Sequence, residues 1–470
     1  TTLDSGLRVV TGPMGSVRSA ALGFFVGAGS RGECVEEAGI SHFPEHTLTT
    51  LDSGLRVVTE HMSSVRSAAL GFFVGAGSRG ELPDEAGLSH FLEHMLFRGT
   101  DRFASAEIDQ LFDGMGAELN AGTDKEGTTV YARMLDQHLP RAFDAMADMV
   151  WRPAFNDVDP EREVVLEEIA MYEDDPQDTV FDVLGVSVFG DHPLGRPIIG
   201  RAPVIRDTPV EQIAAFHARR YVPSSVVVAA AGSVDHDEVV ALAERTLAGL
   251  RAGETAPMPD PAPQLPQARV RFQGKETEQV HVCLGGPGLA RDDERRHAVR
   301  VLDAIFGGLS SSRLFQSVRE ERGLAYAVYS FAGNFTDTGQ VGLYVGTRPD
   351  NLAEAMEVVD AELARLREQP ATEDELIRAR ENVKSRVVLA MESSSARMNR
   401  LGSSTLYGLP LLEVDEIMAR VDAVRLDDLR ELVDELWAPE RLSAAGIGPS
   451  RDAFCAAVAP VCPAADAVAA

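Results

Sequence analysis

Apolar positions along the chain fall into short blocks, and their spacing switches between two periods. Leu55–Thr59 and Ser67–Val74 are dense in apolar, β-branched and aromatic residues and are bounded by Gly and Ser, which predicts strands. Gly75–Gly80 reads as a glycine-bearing loop. From Leu88 to Phe97 the period changes. Leu88, Phe91, Leu92, Met95 and Leu96 recur at three- and four-residue steps and predict an amphipathic helix. Ser105 is placed to cap a second helix through about Phe112. Glu118–Asn120 and Thr128–Met134 look like paired strands, and Ala142–Val150 is helical. Asp159 followed by Pro160 marks another helix start, since proline's missing N–H costs nothing in the first turn; Arg162, Glu163 and Glu167 on this helix are expected to face solvent. Val226–Gly232 is a short buried strand.

The second half repeats this grammar. A strand is expected near Gln279–Leu284, a helix near Arg296–Phe306, and strands near Ala325–Ala332 and Gln340–Gly346. Thr372 and Glu375 then stand at capping-box spacing and open a long helix. Between the halves, the proline-rich stretch 251–268 reads as an extended linker. The expected division is therefore a first lobe over 49–250 and a second over 269–470, both of ordinary domain size.

The front of the chain does not fit either lobe. Residues 1–46 and 49–94 match at 38 of 46 aligned positions, as a single near-duplication would leave them. The first copy ends in His42-Phe43-Pro44-Glu45-His46 and the second in His90-Phe91-Leu92-Glu93-His94. Pro44 lacks an N–H and its ring meets the carbonyl four residues back, so it is tolerated only in a helix's first turn. The second copy is expected to be the working one, with residues 1–48 non-functional.

Composition narrows the field. The 470 residues carry a formal net charge of −29, which argues against nucleic acid as a partner. That charge is compatible with a basic peptide substrate, and equally with solubility alone. Cys34, Cys283, Cys455 and Cys462 show no CxxC pair and read as free thiols. No apolar run has the length of a membrane span, and TTLDSGLRVV shows no leader pattern, so a cytoplasmic location is the expectation.

The candidate chemistry sits on the Leu88–Phe97 helix. His90 and His94 are four apart, so their rings share one face about a turn apart, and Glu93 leans toward that face. Two imidazoles and a carboxylate leave one position of a tetrahedral zinc open, and a nearby Glu can take a proton from water there. A pair of surface histidines beside an acid has the same pattern. The following acid-rich helix adds weight: Glu161 and Glu168 are seven apart and share a face near Val164, Val165 and Ile169. An acid within an apolar face is costly unless it is paired or bound to metal.

These stretches together resemble the insulinase/pitrilysin family of zinc peptidases, and most closely its branch similar to the mitochondrial processing peptidases. The resemblance rests on GLSHFLEHMLFRGT (87–100), with its inverted HxxEH zinc motif, on ELNAGTDKEGTTVYAR (118–133), EREVVLEEIAMYEDDPQD (161–178) and SSRLFQSVREERGLAYAVYS (311–330). It implies an α+β fold of two related lobes, each a mostly antiparallel sheet packed with helices, enclosing an acidic chamber. It implies one zinc ion per chain held by His90, His94 and Glu168, with Glu93 as base and Glu161 as a supporting acid. It assigns Asn120 and Ala121 to an edge strand that pairs with substrate, and Arg319 and Tyr326 to a second-lobe pair reaching the substrate, with Tyr326 donating to the forming oxyanion. A structural arginine and a packed aromatic are the plainer account of that last pair. The second lobe has Leu302-Asp303-Ala304-Ile305-Phe306 where a motif relative would stand, and is expected to be metal-free. The implied activity is endopeptidase cleavage of peptides or unfolded segments, and the bacterial members suggest a homodimer. The alternative is a non-catalytic structural or substrate-presenting subunit of the same family.

Overall fold

The computed structural model describes residues 46–250, 253, 261–263 and 267–465. Most of the first repeat copy, with Cys34, and most of the proline-rich stretch lie outside the described residues.

Two sheets carry the fold. The first contains β1 (His46–Thr50), β2 (Arg56–His61), β3 (Ser67–Val74), β4 (Glu118–Thr123), β5 (Thr128–Leu135) and β6 (Val226–Gly232), in the order β1-β2-β6-β3-β5-β4. The second contains β7 (Val270–Gly274), β8 (Val280–Gly288), β9 (Ala325–Asn334), β10 (Gly339–Thr347) and β11 (Ser443–Gly448), in the order β7-β11-β8-β10-β9. Leaving out β1, the two orders superpose strand for strand. Each sheet has a single parallel pair at the matching place, β2 with β6 and β7 with β11; the other pairs are antiparallel. The expected α+β architecture of two related lobes is what the chain adopts.

β1 straddles the expected boundary at residue 48. Its first three residues precede the second repeat copy, and His46 pairs across to Glu60. The last histidine of the first copy's pentad therefore belongs to a strand, whereas His94, its counterpart, lies on a helix.

Central strands are buried on both faces, and β3 shows why its sequence is apolar throughout. Leu70, Phe72 and Val74 point to a core with Leu88, Phe91 and Phe143, while Ala69 and Phe73 pack on Met398 and Leu401. Those last two residues come from the helix Ser394–Leu406 of the second half. The exchange is mutual: the helix Pro176–Phe189 of the first half lies on β8 and β11, with Val180, Leu184 and Val188 against Cys283, Tyr344 and Ile447. The approach on the first sheet is close enough that a Cβ on Gly402 would overlap the Phe73 ring.

A buried polar seam also joins the halves. Arg79, 2% exposed, donates to both carboxylate oxygens of Asp337 at 2.7 and 2.8 Å and to Glu126 at 2.8 Å. Glu126 also accepts from Arg291 at 2.8 Å and from the Thr336 N–H at 3.0 Å. Each buried charge thus has both an opposite charge and hydrogen bonds, as burial requires.

Local expectations needed three corrections. Ser105 does not cap its helix: the cap position is Ala104, whose N–H donates to Glu107 at 2.8 Å, and the Ser105 hydroxyl instead donates to the Phe97 carbonyl at 2.9 Å. The acid-rich helix spans Val158–Asp174, with Asp157 rather than Asp159 at its cap, in a left-handed conformation (φ 55°). Arg162 is not solvated. It is buried and donates to the carbonyls of Ile205 and Thr208, which end a short helix. The three described cysteines are free and buried. Among the described residues no helix is long and apolar enough to cross a membrane.

Candidate metal centre

The motif helix spans Leu88–Met95, and two devices fix its start. Gly87 precedes it at φ 102° and packs against Gly200 at φ 86°, where side chains on either residue would collide. The buried Glu81 carboxylate accepts from the N–H groups of Gly87 at 2.8 Å and Ser89 at 2.7 Å, which satisfies orphan donors of the helix's first turn. Burial pushes this carboxyl up to about 7, against the lowering effect of those hydrogen bonds. Leu88, Phe91, Leu92 and Met95 are fully buried, which turns the opposite face, with His90, Glu93 and His94, toward the acid-rich helix.

There the side chains converge. The His90 and His94 ring centroids lie 4.7 Å apart. Glu168 reaches both: one oxygen is 3.7 Å from His90 Nε2 and the other 3.3 Å from His94 Nε2. One ligand atom from each of the three lies within 4.8 Å of the others. Tetrahedral zinc with bonds near 2.0–2.1 Å separates its ligand atoms by about 3.4 Å, so this donor set fits the ion with small adjustments. Glu161 lies on the far side of His94, 3% exposed, with Oε1 2.7 Å from Nδ1. Its other oxygen is paired with Arg98. A carboxylate on Nδ1 holds the proton there and leaves Nε2 as a lone pair facing Glu168. Burial, and then His94, pushes His90 down to about 4, so the His90 imidazole is neutral at ordinary pH.

Glu93 is held by a group the sequence did not single out. The Thr123 hydroxyl, at the end of β4, donates to Glu93 Oε2 at 2.5 Å. Burial raises the Glu93 carboxyl above its ordinary range, opposed by the Thr123 hydrogen bond and His94 and aided by Glu168. Asn120 and Ala121 lie on the same strand, which is the edge of the first sheet and pairs only with β5 among the described residues. The edge strand thus runs directly to the carboxylate of the motif.

Arg319 and Tyr326 are not part of this cluster. They form their own pair in the second lobe: Arg319 lies over the rings of Phe315 and Tyr326, at 4.7 and 4.5 Å, and donates to the Tyr326 carbonyl at 2.8 Å. Tyr326 itself is 77% exposed at the start of the edge strand β9.

Residues 56–202 match the family described as insulinase (peptidase family M16), and residues 208–383 match the peptidase M16 inactive domain. The chain belongs to the insulinase family, peptidase family M16. It is 43% identical over 463 residues to an uncharacterized zinc protease of Streptomyces coelicolor, covering 96% of this chain and 90% of the relative. A protein of the same description from Bacillus subtilis is 37% identical over 452 residues, covering 96% of this chain and 98% of the relative. Among solved structures, a protease from Helicobacter pylori aligns with a TM-score of 0.82 at 23% identity, over 87% of this chain and 100% of that one. The peptidase M16 inactive domain from Pseudomonas fluorescens aligns with a TM-score of 0.81 at 23% identity, over 86% of this chain and 98% of that one. These likenesses establish the two-lobed fold.

Proposed function

We propose that the chain is a zinc-dependent endopeptidase acting on peptides or unfolded segments, with His90, His94 and Glu168 as the metal ligands. The observation that carries this reading is the convergence of Glu168 on both imidazoles from a helix seventy-odd residues downstream. Bound there, zinc would acidify a water and polarise the scissile carbonyl. Glu93 serves as the base: its burial makes it a better proton acceptor than an exposed carboxylate, and Thr123 holds it in one orientation. Glu161 positions His94. Substrate backbone adds to the free side of β4 at Asn120 and Ala121, an extended pairing that selects unfolded chain. Arg319 and Tyr326 are assigned to substrate contact from the second lobe, Tyr326 being exposed and free to donate to an oxyanion. The acidic surface charge favours basic peptides.

Glu93→Gln tests the assignment. The variant is expected to retain zinc and to cleave a mixed peptide library about 10²–10⁴-fold more slowly, the range lost with a general base. Undiminished cleavage would remove Glu93 from the role, and a wild-type protein that binds no zinc would remove the whole reading.

A further inference from the structure

Acidic side chains outnumber Lys and Arg by 73 to 44 over the whole chain. A cavity of about 770 Å³ in the second lobe reverses that balance. It lies among the helices Arg296–Phe306, Glu373–Ala390 and Ser394–Leu406. Arg291, Arg296, Arg300, Arg386 and Arg400 line it, and Asp303 is the one carboxylate among its described lining residues.

Three of these arginines have other duties. Arg291 holds Glu126 and lies 3.6 Å over the Tyr407 ring, Arg400 donates to Glu60 at 3.1 Å, and Arg296 donates to the Asp293 carbonyl at 3.2 Å. Arg300 and Arg386 make no side-chain hydrogen bond or ion pair among the described residues. Arg300 and Arg386 keep exposed surface; Arg300 stands one helical turn from Arg296, and partial desolvation by the surrounding protein, then that neighbour, lowers its affinity for a proton. Like charges one turn apart destabilise a helix, so a counter-ion here would relieve an existing repulsion. Between them His297 is 5% exposed, with both ring nitrogens lacking a partner. Burial and then Arg296, Arg300 and Arg420 push it down to about 4, so it is a neutral imidazole offering one donor and one acceptor. The rest of the wall is largely apolar, from Leu309 through Val387 to Ile417.

The location adds meaning. The Arg296–Phe306 helix follows the central strand β8 as the motif helix follows β3, and it packs on Glu373–Ala390 as the motif helix packs on Val158–Asp174. Where the first lobe gathers imidazole and carboxylate between this helix pair, the second gathers guanidinium groups.

We propose that this cavity binds a small amphiphilic oxyanion, its phosphate or carboxylate held by Arg300 and Arg386 and its apolar or aromatic body against the apolar wall. Guanidinium forks match both oxyanions in two-point geometry, and a cavity of this size suits an organic molecule better than a bare ion.

Calorimetric titration of the full chain with 1-naphthyl phosphate and with 1-naphthoate tests this without reference to peptidase activity. At least one probe is expected to bind with 1:1 stoichiometry and a Kd below about 100 μM at low salt, weakening as salt is raised. Tighter binding of the phosphate identifies phosphate as the preferred head group, and tighter binding of the naphthoate identifies carboxylate. Arg300→Gln and Arg386→Gln are each expected to weaken binding about 10- to 100-fold, the range for one charge-assisted hydrogen bond. Arg430→Gln, an exposed site away from the cavity lining, is expected to leave it unchanged. Arg300 makes no hydrogen bond or ion pair with a described side chain and Arg386 adds only a longer-range attraction to Asp303, so melting temperatures should change little; if one variant melts early, the other carries the test. No binding of either probe at about 1 mM, or binding that survives both cavity substitutions, overturns the assignment.

Discussion

Replacing Glu161 probes how the metal cluster is held without touching a proposed ligand. Its carboxylate sits 2.7 Å from His94 Nδ1, with 3% of its surface exposed. A hydrogen bond to a charged group contributes about 1.5–3 kcal/mol, and each 1.4 kcal/mol is tenfold in an equilibrium constant. If His94 is the ligand proposed above, removing this bond should weaken zinc about 10- to 100-fold, the range seen for such outer partners. Glu161→Gln keeps a hydrogen-bonding oxygen and loses the charge, so it should lie near tenfold. Glu161→Ala loses both and should lie near a hundredfold. Arg98, whose side chain is 37% exposed, can turn to water when its partner goes, so overall stability should fall little. Competition with a chromophoric chelator gives the zinc affinity directly, and a thermal melt of metal-free protein gives the stability. Zinc affinity unchanged in both variants would refute the positioning role. A melt that collapses in metal-free Gln protein would show that Glu161 serves the fold instead.

Three further outcomes follow from the geometry. Deleting residues 1–45 should preserve metal binding and melting temperature, whereas deletion through Thr50 removes β1 and should lower the melting temperature by several degrees in calorimetry. Gly402→Ala places a methyl group against the Phe73 ring and should destabilise by about 1–3 kcal/mol in urea titration; an unchanged midpoint would mean that the helix docks less closely than described. Glu81 is held at about 7, above its unfolded value, so its contribution is fully present below pH 4.5 and is lost as pH rises through 7. Metal-free wild type should accordingly lose stability relative to Glu81→Gln across that window, by up to about 3 kcal/mol, and parallel pH profiles for the two proteins would contradict it.

Legibility in the sequence followed the range of the interaction. The motif face was readable because i, i+3 and i+4 spacing fixes which side chains share a side of a helix, and Glu161 and Glu168 were readable for the same reason two turns apart. Which side of His94 each acid takes was not, since that depends on how the two helices cross. Thr123 and Glu81 were missed because each acts on an element far from its own; Glu81 shows only as an acid shortly before a helix. Arg162 was misjudged by the rule that charged helical residues are solvated, when its guanidinium ends a neighbouring helix through two carbonyls. β11 was overlooked because Ser443, Ala444, Ala445 and Gly446 have weak strand preference, and its pairing on both sides supplies what propensity lacks. The matching strand orders of the lobes follow from the repeated grammar. The crossing over of helices between them does not, since periodicity shows that a face is apolar and is silent on which sheet it will cover.

That crossing over makes each half-chain an unfinished object. Expressed alone, residues 46–250 would leave Val58, Phe73 and Val227 bare to water, and residues 267–465 would do the same to Cys283, Tyr344 and Ile447. Each half therefore depends on the other's helix to cover one face of its sheet. Any relative motion of the lobes must flex the seam between them while both borrowed helices stay seated.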